Sequence, residues 1–315
     1  MSAQLSNYIK SPFNYTGGKY RILSQIIPRL PSRVELFLDV FAGGGNVFIN
    51  SPAKSFYVND IDNNLISLFS FMRLHNFDDF FAECKKVVND FGLSSTSTHG
   101  YEYYGTNSSL GVGAFNKLGY SLLKDHFNHR KNGYSREVIF FVLICFGFNN
   151  QIRYNKNNFF NIPVGKRDLN NSIVNNLAKF CSRLNSLDVK FESKSCFDLD
   201  FSSLSSSDFI YFDPPYLTSN ASYNESGKWT NDHEVKLLSL LDDFIGSNIR
   251  FGLSNMTKSG DIENSLLASW IESNAANITL FNISSDYTNS SYQKKIKHSS
   301  SENEIFLIYP AIHEP

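Results

Sequence analysis

Cysteine, long apolar runs and a surplus of charge of either sign are all scarce in this chain, and each shortage narrows what it can be. The four cysteines, Cys84, Cys145, Cys181 and Cys196, are scattered with no Cys-x-x-Cys spacing. That argues against zinc and against a disulfide framework, so no metal centre and a reduced, cytoplasmic protein are expected. The longest apolar run, Val138 to Phe146, is too short to span a bilayer, and the N-terminus shows no secretory hydrophobic stretch. A formal net charge of −1 advertises no polyanionic partner through a global field, so any nucleic-acid site has to be a local basic surface. No internal repeat is visible, and no Gly-Lys-Ser/Thr phosphate loop.

What is present is ample material for a core: 42% of the 315 residues are hydrophobic and 15% aromatic. The chain turns on Asp208 to Tyr216, Asp-Phe-Ile-Tyr-Phe-Asp-Pro-Pro-Tyr. Its apolar run, stopped by two prolines, reads as a buried strand that leaves Asp213 at its C-terminal edge. Pro214 biases Asp213 toward an extended backbone, and Pro215 has no N–H to occupy nearby acceptors. The corner offers the Asp213 carboxylate and the Pro214 carbonyl beside the Tyr216 ring, which suits a planar amine; an ordinary strand-to-loop turn is the alternative.

Upstream, Pro12 to Lys19 forms a glycine-hinged turn with Tyr15 and Lys19 as stacking and polar handles, and a helix is expected over Ile22 to Leu30. Val34 to Val40 reads as a buried strand that carries Asp39 and runs through Phe41-Ala42-Gly43-Gly44-Gly45-Asn46 into a second helix start. Gly43 and Gly45 fit a dinucleotide fingerprint, but Phe48 stands at the third glycine position, which weakens the case for a pyrophosphate. A second strand, Ser55 to Asn59, ends at Asp60, where a ribose diol would be gripped, with Asp62 as competitor. A ligand with a ribose and no phosphates, S-adenosylmethionine, fits better than NAD or ATP.

From about Asn76 to Leu187 the strand and helix alternation lapses into what reads as a mostly helical insertion, with a flexible Gly92 to Gly113 stretch. Within it, Asn149 to Arg167 interleaves cations, amides and aromatics with turn residues, as in a hairpin that touches phosphates and base edges, or simply a solvated loop. Further on, an Asn231/Glu234 capping box starts a helix, Ile249 to Ser254 is a strand, Ile262 to Ile271 a helix, and Ile278 to Ile283 and Glu304 to Tyr309 the last strands. The basic loop Ser285 to Ser301 is either solvated or a phosphate clamp.

Asn14-Tyr15-Thr16-Gly17-Gly18-Lys19, the Phe37 to Phe48 glycine segment, Asn59-Asp60, Arg153-x-Asn155 leading to Phe160-Asn161-Ile162-Pro163-Val164-Gly165, and Asp213-Pro214-Pro215-Tyr216 together resemble the DNA adenine methylase family, the N6-adenine methyltransferases of α-type motif order. The resemblance implies an α/β methyltransferase (Rossmann-like) fold: a seven-stranded sheet whose last-added strand is antiparallel, with an inserted, mostly helical DNA-recognition domain. Residues 1–75 and 188–315 would form the catalytic domain and 76–187 the insert.

It further implies that Tyr15, Lys19, Asp39, Phe41, Gly43 and Gly45 hold the methionine end of S-adenosylmethionine, that Asp60 holds the ribose, and that Asp213 borders both pockets. Cys196, with Asp198 two residues on, falls where the family places an acid for the cofactor's adenine. Arg153, Tyr154 and Asn155 match the family's DNA-contacting hairpin, followed by Lys156, Asn157 and Asn158 at its variable part and then Lys166. Ser291, Lys294 and Lys295 resemble its late basic loop. The implied activity is methyl transfer to the N6 amine of an adenine flipped from duplex DNA onto Tyr216, with Asp213 and Pro214 accepting the amine hydrogens. Double-stranded DNA is the expected partner; a cognate restriction endonuclease would form no stable complex with the chain. The expected setting is nucleoid-associated, in a restriction-modification system or as a solitary or phage enzyme. No Pro-Cys pair is present for cytosine C5 chemistry.

Overall fold

The computed structural model describes residues 8–218, 229–284 and 302–311. A single sheet organises them, in the order β3-β2-β1-β4-β5-β8-β7. Its strands are β1 (Leu36–Asp39), β2 (Ser55–Asn59), β3 (Asp188–Glu192), β4 (Phe209–Phe212), β5 (Arg250–Ser259), β7 (Thr279–Ile283) and β8 (Glu302–Tyr309), with a short β6 (Ile262–Glu263) off the edge of β5. The first five in that order run parallel, while β8 is antiparallel to both β5 and β7. β4 is buried along its whole length, Phe209 to Phe212, as a central parallel strand covered on both faces must be. The mixed α/β architecture with a mostly parallel sheet matches the expectation, and the two-residue β6 is an addition to the seven strands foreseen.

Both faces of the sheet are covered. On one, Phe37, Phe56 and Tyr211 pack with the helices Asn63–Leu74, Phe77–Asp90, Arg136–Phe146 and Asn171–Asn185 in one continuous apolar cluster. On the other, Leu38, Ile210 and Phe212 pack with Asn231–Gly246 and Ser265–Ser273. The helical segment between β2 and β3 therefore shares its core with the sheet. Its helix Arg136–Phe146 is buried at every position from Val138 to Phe146, which is why the run is apolar on all sides.

Several local expectations are corrected. The stretch Ile22 to Leu30 is no single helix: a 3-10 turn (Lys19–Ile22), one α turn (Leu23–Ile26) and a second 3-10 turn (Ile27–Arg29) replace it, because Pro28 cannot supply an interior hydrogen bond. Past the glycine loop comes only the 3-10 turn Phe48–Asn50. The Gly92 to Gly113 stretch folds into short turns over Thr96–His99 and Glu102–Tyr104, and buried Asp168 accepts from the Ser94 hydroxyl and from the Thr96 amide and hydroxyl.

Helix Gly113–Asn128 was not foreseen. It buries Asn116 and Gly119 while exposing Phe115, Leu118 and Leu122, so its apolar period is masked. Helix Ser265–Ser273 starts later than Ile262, which instead belongs to the β5–β6 hairpin turning at Gly260 (φ +61°). The capping box is Thr230/His233, not Asn231/Glu234. Glu234 is fully buried, accepting from Trp229 Nε1 (2.5 Å), Asn264 Nδ2 (2.7 Å) and Asn255 Nδ2 (3.3 Å).

Candidate active site

The parallel strands deliver their last residues to one edge, and the site is built there. β1 lies beside β4 with Asp39 level with Tyr211, so Asp39 and Asp213 end neighbouring strands. The glycine loop folds back at this edge because Gly43 (φ +47°) and Gly45 (φ +76°) adopt left-handed conformations. A Cβ on Gly43 would stand 2.9 Å from the Tyr15 ring, and one on Gly45 2.8 Å from Phe48. Tyr15 thus lies directly over the loop backbone. Asp60 secures the loop from the other side: Gly43 N–H donates to Oδ2 (2.8 Å) and Asp62 N–H to Oδ1 (2.9 Å). Asn59, whose side chain bonds the Val40 carbonyl and both backbone groups of Lys194, ties the ends of β1 and β3 together.

Asp39 is 1% exposed, and neither carboxylate oxygen has a hydrogen-bond partner among the described residues. Burial, then the negative charges of Asp213 and Asp60, raise its pKa well above the ordinary carboxylate value, against a small pull from the Phe48 and Phe41 backbone. A buried carboxylate without a partner is costly, and its natural complement is a cation. Phe41, on the same loop, meets Trp229 edge-on at 5.9 Å, and Trp229 stacks with Phe197 at 6.0 Å. This aromatic wall escaped the sequence reading; an isolated tryptophan closing a polar loop was its one signal. Beside it, Cys196 is buried in the 3-10 turn Cys196–Asp198, its thiol pushed up to about 12 by burial, while Asp198 faces solvent.

At the Asp-Pro-Pro-Tyr corner the sheet closes around one cation. Lys19 Nζ, 3% exposed, lies 2.9 Å from Asp213 Oδ1 and 3.5 Å from Glu304 Oε1. It also donates to the Tyr216 hydroxyl at 2.5 Å and to the Gly17 carbonyl at 3.1 Å. The Tyr216 hydroxyl in turn reaches Asp213 Oδ1 (3.2 Å) and Glu304 Oε1 (3.3 Å). Burial pulls the Lys19 ammonium down, but Asp213 and Glu304 outweigh it and its pKa ends above the usual value. For Asp213 burial dominates, Lys19 opposes it, and the pKa rises to about 6. Glu304, expected only as the start of a strand and not as a site residue, reaches this edge because β8 runs antiparallel to β5 and β7, which puts the start of β8 beside their ends.

The segment Asn149 to Arg167 does form a hairpin, with Tyr154 bridged to Phe160 and the tip turning at Asn158 (φ +58°). Arg153 is exposed and steadied by Asn161 Oδ1 (2.8 Å), and Lys156, Asn157, Asn158 and Lys166 are exposed as well. The Asn155 carboxamide oxygen accepts from the Asn157 and Phe159 amides and so shapes the tip. Tyr154, expected among the DNA-contacting residues, is 9% exposed, and its hydroxyl donates to Asp62 Oδ2 (3.0 Å), at the N-cap of helix Asn63–Leu74. It anchors the hairpin to the start of that helix. Ser291, Lys294 and Lys295 lie outside the described residues.

Residues 15–286 match the family model described as D12 class N6 adenine-specific DNA methyltransferase. Among curated proteins, the chain is 34% identical over 298 residues to the modification methylase StsI of Streptococcus sanguinis, covering 93% of this chain and 42% of that protein. It is 29% identical to the type II methyltransferase M.FokI of Planomicrobium okeanokoites, over 91% and 41% of the two. With the DNA adenine methylase of Haemophilus influenzae it shares 28% identity over 70% and 69%. The chain therefore spans about two fifths of the length of the first two relatives and about two thirds of the third. No helix among the described residues is long and apolar enough to cross a membrane. With a glycine cradle and an Asp-Pro-Pro-Tyr corner on adjoining strand ends and a family match over most of its length, the chain belongs to the D12 class of N6 adenine-specific DNA methyltransferases.

Proposed function

We propose that the chain transfers a methyl group from S-adenosylmethionine to the N6 amine of an adenine extruded from duplex DNA. The observation that carries this reading is the placement of Asp39, a buried and unpartnered carboxylate, and Asp213, the acid of the proline corner, at the ends of neighbouring parallel strands. The residues fit the cofactor. Asp39 offers a buried carboxylate whose charged form a cationic amino group would favour, the Gly43 to Gly45 backbone leaves room no side chain could share, Tyr15 and Phe41 border that space, and Asp60 holds the loop that faces the ribose. When bound, S-adenosylmethionine supplies an electrophilic methyl on a sulfonium centre.

The acceptor side is the work of Asp213, Pro214 and Tyr216. An exocyclic amine conjugated with a purine ring is a weak nucleophile, so the site has to stabilise the positive charge that grows on nitrogen during attack. Asp213 does so as a fixed carboxylate, the Pro214 carbonyl takes the second amine hydrogen, and the Tyr216 ring stacks on the base. With a pKa of about 6, Asp213 is ionised at neutral pH yet binds a proton more tightly than an ordinary aspartate, which suits it to receive the amine proton.

Residues 76–187 serve as the recognition insert of a catalytic unit formed by 1–75 and 188–315. Arg153 and Lys156 contact phosphates, with Lys166 and the undescribed loop of Ser291, Lys294 and Lys295 adding charge, while Asn155, Asn157 and Asn158 face base edges. The enzyme acts in the cytoplasm on nucleoid DNA, in a restriction-modification setting. Tritiated-methyl transfer to unmethylated DNA, with N6-methyladenine located by sequencing in a methylation-free host, tests the reading. Transfer by the wild type and none by Asp213→Ala is expected; an active Asp213→Ala enzyme refutes the assignment.

A further inference from the structure

We propose that Glu304 is a positioning residue for the acceptor site, acting through Lys19 to keep Asp213 available to the target amine. The inference rests on the functional reading above and concerns a residue that reading does not use. Glu304 is 1% exposed, and its carboxylate meets Lys19 Nζ and the Tyr216 hydroxyl, both of which also meet Asp213 Oδ1. Two acids thus share one ammonium and one phenol. Lys19 sits 2.9 Å from Oδ1 of the Asp213 carboxylate, the group that the functional reading has accept an amine hydrogen. A lone lysine there would neutralise Asp213 and hold that oxygen. A second carboxylate on the same ammonium divides its attraction and gives it somewhere to stay when the amine arrives.

The charged and titratable groups around Asp213 pull in opposite directions. Lys19, from the N-terminal turn, and the Tyr216 hydroxyl favour the Asp213 anion. Glu304 from β8 disfavours it, and the negative charge of Asp213 itself bears on Asp39 of β1 and Tyr211 of β4. Removing the charge of Glu304 therefore lets Lys19 bind Asp213 more strongly and makes Asp213 a weaker proton acceptor.

The test compares wild type with Glu304→Gln, Glu304→Asp and Lys19→Met, each read by carboxyl 13C NMR titration of Asp213 and by the pH dependence of kcat/KM for DNA methylation. Glu304→Gln is expected to lower the titration midpoint and the acidic limb of activity by roughly one pH unit, the scale of a neighbouring charge, with kcat/KM reduced at neutral pH. Glu304→Asp, which keeps the charge, should stay nearer the wild-type midpoint, and Lys19→Met should move it upward. A folded Glu304→Gln protein with unchanged midpoint and limb overturns the proposal. If that variant does not fold, an unmoved midpoint in Lys19→Met overturns it equally. A wild type that transfers no methyl to adenine would defeat the functional reading alone, since the NMR midpoints decide this inference without turnover.

Discussion

Replacing Asp213 with asparagine should make the ligand-free protein more stable while abolishing methyl transfer. The carboxylate is only 18% exposed, and its pKa is raised from 3.8 to about 6 even with Lys19 beside it. An acid whose pKa rises on folding holds its proton more tightly in the native state, so native stability falls as pH climbs from about 4 to about 6. A shift of about two units, at about 1.4 kcal/mol per unit, is a penalty on the order of 3 kcal/mol at neutral pH and above. The asparagine side chain keeps the shape and carries no charge, while Lys19 retains Glu304, Tyr216 and the Gly17 carbonyl. Urea denaturation should therefore show the variant about 2–3 kcal/mol more stable at about pH 8, a midpoint shift of about 1 M for a slope near 3 kcal/mol per M. The gap should close toward pH 4. A variant less stable than wild type at pH 8, or a difference that does not change with pH, would refute the argument.

Three further outcomes follow from the same geometry. Gly43→Ala puts a methyl 2.9 Å from the Tyr15 ring at a left-handed position, so it should cost about 1–2 kcal/mol in denaturation and weaken cofactor binding by calorimetry more than a surface change of equal cost. Tyr154→Phe removes the hydroxyl that holds Asp62 and should cost on the order of 1–2 kcal/mol while raising the Asp62 pKa further above about 6, with little change in DNA affinity if Tyr154 is an anchor only. Arg153→Ala should instead leave stability nearly unchanged and lower DNA affinity, reducing the slope of log K against log salt by about 1; an unchanged slope removes Arg153 from the phosphate contacts.

Much of this molecule is local and so could be read along the chain. A run such as Phe209 to Phe212 stopped by Pro214 and Pro215 has few conformations other than a buried strand and a corner, and glycines at Gly43 and Gly45 mark a loop that turns back on itself. Strand β2 is legible for the same reason. What the folded chain alone decided is who meets whom. Glu234 looked like a capping acid until Trp229, Asn255 and Asn264 converged on it, and the Tyr154 hydroxyl finds its partner in Asp62, 92 residues away in the chain. The joining of Lys19, Asp213 and Glu304 depends on β8 inserting antiparallel between β5 and β7. Periodicity reports which face of a segment seeks burial, whereas the partner of a buried charge is set by strand order and direction, which no short window of residues contains.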